Sequence, residues 1–126
     1  AHNAFTQMQS VARGIWSMPP AHGAALVAQV LSDSALKAQW QGEVTEMRQR
    51  IASLRVQLSD ALFDAGDFGF IPRQRGMFSF LGLSEAQVGR LQKEFSVYMV
   101  NSSRINIAGI SQANLEYLAA SIKAVL

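Results

Sequence analysis

The chain has 126 residues, no cysteine, two histidines and a formal net charge of +2. Disulfides, thiolate metal sites and cysteine nucleophiles are therefore excluded, and His2 and His22 are too isolated for a metal cluster. A pI near 9.4 reflects a small excess of scattered Lys and Arg without a basic stripe, so neither nucleic acid nor a membrane surface is an expected partner.

The length fits one hydrophobic core. With 49% hydrophobic and 16% charged residues and a mean hydropathy of +0.11, the chain is more apolar than an ordinary soluble domain. Some of that surface is expected to lie against something else. No run reaches the roughly 18 apolar residues of a membrane span, and Ala1-His2-Asn3 opens no signal pattern. A cytoplasmic protein is expected, and the missing initiator methionine is what excision, tagging or processing would leave.

Phe5, Met8, Val11 and Ile15 recur at helical spacing before Pro19-Pro20, which predicts a short amphipathic helix. Ala24 to Leu31 is apolar nearly all round, as in a buried helix. From Ser34 to about Ala65, Leu36, Trp40, Val44, Met47, Ile51, Leu54, Leu58 and Leu62 predict one continuous helix, with Ser32 or Asp33 capping its start and Gly66 its end. Such a helix is roughly 45 Å long, longer than a globule of this size is wide, so it is expected to link two domains or to reach a partner.

Beyond Gly66 the period changes. Phe68 to Ile71 and Met77 to Leu81 read as strands around a turn at Pro72–Gly76. Ser84 and Gln87 form a capping box opening a helix with Val88, Leu91 and Phe95 inward. Val97 to Val100 and Arg104 to Ile107 read as a strand pair joined at Asn101–Ser103. Ser111 is expected to cap a last helix carrying Leu115, Leu118, Ile122 and Val125. The fold class predicted is α+β, a small sheet with covering helices behind a long linking helix.

From the residues alone there is no phosphate loop, no Ser/His/Asp arrangement and no metal-spaced carboxylate cluster. Lys37, Lys93 and Lys123 lie among polar neighbours on predicted helices and read as solvated. Arg104 stands out: in Arg104-Ile105-Asn106-Ile107 the isoleucines share one face, which leaves Arg104 on the other. It is either an ordinary exposed arginine or a guanidinium fork for a carboxylate.

Pro19-Pro20-Ala21-His22-Gly23-Ala24, Glu46-Met47-Arg48-Gln49-Arg50-Ile51, Gly76-Met77-Phe78-Ser79-Phe80 with Gly82-Leu83, Val97-Tyr98 and Arg104-Ile105-Asn106-Ile107-Ala108-Gly109 together resemble the fold type I aspartate/aromatic aminotransferases. The resemblance implies the end of the large domain over 1–31, an interdomain helix over 32–66 and the C-terminal small domain over 67–126. It implies that Arg104 binds the substrate α-carboxylate, that Arg13 reaches a substrate side-chain carboxylate across a dimer interface, and that Phe78 lies beside the substrate. Arg13 also reads as a cation complementing its helix's C-terminal dipole, and Phe78 as a core residue. Relatives often have glycine before the clamp arginine; here Ser103 would be strained if the turn demands a positive φ.

The implied reaction is amino transfer between an aromatic or dicarboxylic amino acid and a 2-oxo acid, with pyridoxal phosphate in a full-length homodimeric parent. The apolar Ile15-Trp16-Ser17-Met18 stretch leans toward aromatic or broad specificity. The Schiff-base lysine, the aspartate on the pyridine nitrogen and the main phosphate ligands are implied to lie upstream, so no catalytic residue, bound cofactor or activity is expected of this segment alone. The alternative is a non-catalytic interaction module presenting the Trp40, Val44, Met47 and Ile51 stripe to a partner helix.

Overall fold

The computed structural model describes residues 2–126. Its helices are α1 (His2–Trp16), α2 (His22–Ser32), α3 (Ser34–Ala61), α4 (Glu85–Phe95) and α5 (Leu115–Val125), and its strands are β1 (Phe78–Phe80) and β2 (Arg104–Asn106). Two compact units, Ala1–Glu43 and Val44–Leu126, divide within α3. Among the described residues no helix is long and apolar enough to cross a membrane.

In the first unit, α1 ends where Ser17 adopts a left-handed φ of 57°, and the Pro pair follows. Asp33 caps α3, its Oδ1 accepting from the Ala35 N–H at 2.9 Å and the Leu36 N–H at 3.0 Å, which satisfies donors that the first helical turn cannot. Neither α1 nor α2 contains a buried residue. The expectation of a buried second helix is therefore corrected: Leu26 and Val27 are more than half exposed, because nothing in this unit covers them.

The second unit holds the core. The C-terminal half of α3 contributes Leu54 and Leu58, with Leu62 just past its end; α4 contributes Val88 and Leu91, and α5 contributes Leu115, Ala119, Ile122 and Val125. Together with Ile105, Ile107 and Ile110 they close over Phe68, Ile71 and Leu81. The capping box is present: Ser84 accepts from the Gln87 N–H while the Gln87 side chain accepts from the Ser84 N–H. At the other end of α4, Ser96 in the left-handed region stops the helix.

Several expected elements differ. The long helix stops at Ala61 and gives way to a 3-10 turn, Phe63–Ala65, after which Gly66 has φ 147° and ψ −172°, a region essentially reserved for glycine. The stretch from Phe68 to Ile71 is not a strand but leads into a second 3-10 turn, Ile71–Arg73. Its donors are used locally: the Gly69 N–H donates to Asp67 Oδ1 at 3.1 Å and the Ile71 N–H to the Phe68 carbonyl at 3.1 Å. Pro72 has no donor to offer a ladder.

Val97 to Val100 forms no strand either, although its burial alternates, Val97 and Met99 half-buried and Tyr98 and Val100 exposed. The strand containing Arg104 pairs instead with β1, antiparallel, with Phe78 opposite Asn106, Ser79 opposite Ile105 and Phe80 opposite Arg104. Beyond the strand ends, the Leu81 N–H donates to the Ser103 carbonyl and the Ile107 N–H to the Met77 carbonyl. With this edge of β2 taken by β1, the 97–100 segment is held by other bonds: Gln92 Nε2 donates to the Met99 carbonyl at 3.1 Å, and the Ser103 N–H to that of Val100 at 2.8 Å.

Strand β2 ends at Asn106, whose side chain accepts from the Ala108 N–H at 3.0 Å and starts a 3-10 turn, Ile107–Gly109. The last helix begins at Leu115 and is not capped by the Ser111 hydroxyl. The Ser111 carbonyl accepts from the Leu115 N–H at 3.0 Å, and the Ser111 N–H donates to Asn114 Oδ1 at 2.7 Å.

Candidate functional site

The alternation of β1 and β2 decides what faces outward. Ser79 and Ile105 point into the core, while Phe78, Phe80, Arg104 and Asn106 are exposed. Arg104 stands opposite Phe80 but leans diagonally: its Cζ lies 4.8 Å from the centroid of the Phe78 ring, within cation–π range. Diagonal same-face neighbours on an antiparallel pair are in reach of long side chains. Among the described residues the Arg104 guanidinium has no hydrogen bond and no ion pair. Its donor fork is therefore open, on the wall of a cavity of about 630 Å³ that Phe78, Tyr98, Asn106 and Tyr117 also line.

The structure thus brings Arg104 and Phe78 together. Phe78 is half exposed, at 46%, so it is not the core residue that a strand phenylalanine is by default. Ser103, just before Arg104, has φ 59°, the left-handed conformation expected to strain a serine. Its buried Oγ accepts from the Gly82 N–H at 3.0 Å, a bond that glycine could not make.

Arg13 belongs to the first unit. It is the basic residue in the last turn of α1, exposed, beside a cavity of about 600 Å³ that Trp16, Ser17 and Met18 also line. The lysines Lys37, Lys93 and Lys123 are all exposed, and Lys123 is ion-paired with Asp64. Among the described residues no group of three or more His, Asp or Glu could hold a metal ion.

Two arginines of α3 escape a reading based on apolar spacing. Arg50 donates from Nη1 to the Ala108 carbonyl at 3.2 Å and from Nη2 to the Ile110 carbonyl at 2.8 Å, holding the exit of β2. Arg55 is only 3% exposed, and its Nη2 donates to the carbonyls of Gly76 and Phe78, both at 2.8 Å. Its Nη1 donates to the Ile71 carbonyl at 3.2 Å. Burial pushes its pKa below the ordinary arginine value, yet a guanidinium remains a cation at neutral pH. The signal for it was present: Arg55 follows Ile51 by four residues and precedes Leu58 by three, a charged residue on a core-facing stripe.

The family model described as aminotransferase class I and II matches residues 2–122. An aspartate aminotransferase of Haemophilus influenzae is 48% identical over 100% of this chain and 33% of the relative. An aromatic-amino-acid aminotransferase of Pseudomonas aeruginosa is 51% identical over 93% of this chain and 30% of the relative. Among solved structures, an aromatic-amino-acid aminotransferase of Burkholderia pseudomallei, covalently bound to pyridoxal phosphate, superposes with a TM-score of 0.93 at 45% identity, covering 99% of this chain and 32% of that one. The chain spans about a third of the length of the relatives it matches.

Proposed function

Because the chain belongs to the class I and II aminotransferase family, we propose that it is the substrate-gripping part of a transaminase. In this reading Arg104 binds the α-carboxylate of an aromatic or dicarboxylic amino acid and of the matching 2-oxo acid. The observation that carries the proposal is the open guanidinium of Arg104, backed by the Phe78 ring and without an acidic partner among the described residues. A planar fork matches a carboxylate with two parallel hydrogen bonds, which adds orientation to charge. The same grip serves both half-reactions, since amino acid and oxo acid share that carboxylate.

Pyridoxal phosphate needs a lysine to condense with, and when bound it supplies an electron sink for the substrate carbon. The residues of this chain do not fit that need. All three lysines are exposed and Lys123 is paired with Asp64, whereas a lysine that condenses with a carbonyl cofactor is held in an enclosed site. We therefore place the cofactor, and catalysis, in the whole protein and outside these residues, with the isolated chain inactive. Residues 1–31 are read as the end of a large domain, 32–66 as the interdomain helix and 67–126 as the small C-terminal domain. The exposed faces of α1 and α2 support this, being surfaces that a larger body would cover. A cytoplasmic homodimer, in which Arg13 meets a side-chain carboxylate, completes the reading.

The test is kinetic, on the full-length protein with aspartate, tyrosine and phenylalanine as donors to 2-oxoglutarate. Arg104→Lys keeps the charge and loses the fork, so kcat/KM is expected to fall at least about 100-fold for all three donors. Arg13→Ala is expected to lower it about tenfold or more for aspartate and to spare the aromatic donors. Activity within about twofold of wild type in Arg104→Lys, under roughly 0.5 kcal/mol, would return Arg104 to the status of a surface arginine.

A further inference from the structure

We propose that Arg55 is a positioning residue for the carboxylate grip, acting from the buried side of β1 through Phe78 on Arg104. The inference rests on the reading of Arg104 given above. Burying a cation is costly, and a well-packed apolar side chain can often replace it without loss of stability. At a helix position flanked by Ile51 and Leu58, filling the core does not require an arginine.

What an apolar residue cannot supply is donors. Strand β1 has one partner, β2, and successive carbonyls of a strand point to opposite edges. The Met77 carbonyl is used on the β2 side by the Ile107 N–H at 2.7 Å. The carbonyls of Gly76 and Phe78 face the other edge, where no strand exists, and both accept from Arg55 Nη2 at 2.8 Å. Arg55 Nη1 adds the Ile71 carbonyl at 3.2 Å and a longer contact to Ser79 Oγ at 3.4 Å. The guanidinium thus stands in for a third strand and ties the loop before β1 to α3, so the backbone of Phe78 is held from both edges.

That fixation reaches the site through one contact. Arg104 has several rotatable bonds, and among the described residues its guanidinium has no hydrogen bond or ion pair, only the Phe78 ring 4.8 Å from its Cζ. Where the ring stands is where the guanidinium waits. Releasing the Gly76 and Phe78 carbonyls lets β1 and its ring shift, and a carboxylate fork tolerates little displacement.

The experiment uses the cofactor-loaded full-length protein, with aspartate and phenylalanine as donors. Lysine at this position keeps the charge but cannot present two nitrogens to the carbonyls of Ile71, Arg75, Gly76 and Phe78. Arg55→Lys is expected to raise KM for both amino acids and for 2-oxoglutarate by a similar factor, about tenfold, with kcat lowered less than about threefold and the cofactor's absorbance unchanged. In an Arg104→Lys background the same substitution is expected to change KM by less than about twofold, because residues acting through one another are not additive. Phe78→Leu, which leaves Arg55 in place, is expected to reproduce the rise in KM, and it keeps the proposal testable if the Arg55 variants do not fold.

A fall in melting temperature with KM unchanged in Arg55→Lys makes Arg55 merely structural and overturns the proposal, as does full additivity with Arg104→Lys or an unchanged KM in Phe78→Leu. If Arg104→Lys itself leaves KM unchanged, it is the carboxylate reading that fails, and the Arg55 proposal fails with it.

Discussion

Helices α1 and α5 carry the same kind of amphipathic pattern and meet different fates. On α1, Phe5, Met8, Val11 and Ile15 share one face, and each is more than half exposed. On α5, Ile122 is fully buried and Leu115, Ala119 and Val125 nearly so. Periodicity specifies which face of a helix seeks cover; it does not supply the cover. In the second unit that is provided by α4, the end of α3 and the segments around the strand pair. Within α3 the same contrast falls along one helix: Leu36, Trp40 and Met47 are exposed, whereas Leu54 and Leu58 are core.

The sharpest way to break this comparison is to truncate one apolar residue in each region and follow urea unfolding of the 126-residue chain. Leu58→Ala removes a side chain with no exposure and is expected to destabilise by about 2 to 5 kcal/mol, transfer and cavity terms together. Met8, 70% exposed, has little to lose, and Met8→Ala is expected to stay within about 0.5 kcal/mol. A cost above about 1 kcal/mol for Met8→Ala would mean that the α1 face is covered in solution.

How much of this was legible in the sequence depends on the kind of interaction. Helices were, because a 3.6-residue period and its caps are local: Asp33 and the Ser84–Gln87 box stand where the residues indicate, although the long helix stops at Ala61, short of Gly66. The outward direction of Arg104 was legible from alternation alone. The pairing of its strand was not. Two apolar alternating runs, 77–81 and 97–100, were available as partners, and only tertiary hydrogen bonds choose between them. Phe68 to Ile71 was misread because apolar residues can be buried from a turn when Asp67 and Gly66 absorb the local polar groups. Arg55 was hidden because charged residues are read as surface, a rule that fails where backbone carbonyls replace water.

Ser103 offers an intermediate effect and a sign that separates strain from bonding. Its left-handed φ of 59° costs a side-chain-bearing residue about 1 to 2 kcal/mol, while its Oγ satisfies the Gly82 N–H. Ser103→Gly removes both the strain and the acceptor, so the two changes offset and stability is expected to move by less than about 1 kcal/mol. Ser103→Ala keeps the strain and loses the acceptor, with an expected cost of about 1 to 3 kcal/mol. The order, alanine worse than glycine, is what denaturation would check. Equal losses for both would mean that the left-handed φ costs nothing, and no loss in Ser103→Ala would mean that the hydroxyl contributes nothing to the turn that leads into Arg104.

The smallest effect belongs to the ion pair between Lys123 on α5 and Asp64 in the turn after α3. The hydrogen bond from Lys123, with help from the local backbone, holds the Asp64 carboxyl below its ordinary value. A carboxyl with a depressed folded-state pKa stabilises fully above its unfolded value, about 3.9, and loses that contribution as the pH falls through the folded value. Asp64→Asn cannot titrate, so the gap in melting temperature between wild type and this variant is expected to be constant at neutral pH and to close in acid. The pair is open to solvent on the carboxylate side, Asp64 with 72% of its side chain exposed and Lys123 with 35%. The gap should therefore be a small fraction of that caused by Leu58→Ala, and molar salt should shrink it further. Leu58→Ala should respond to neither pH nor salt, since the loss there is apolar contact. A gap for Asp64→Asn that widens on acidification would require a carboxyl held above its ordinary value, and the pairing with Lys123 would then not be the interaction that governs it.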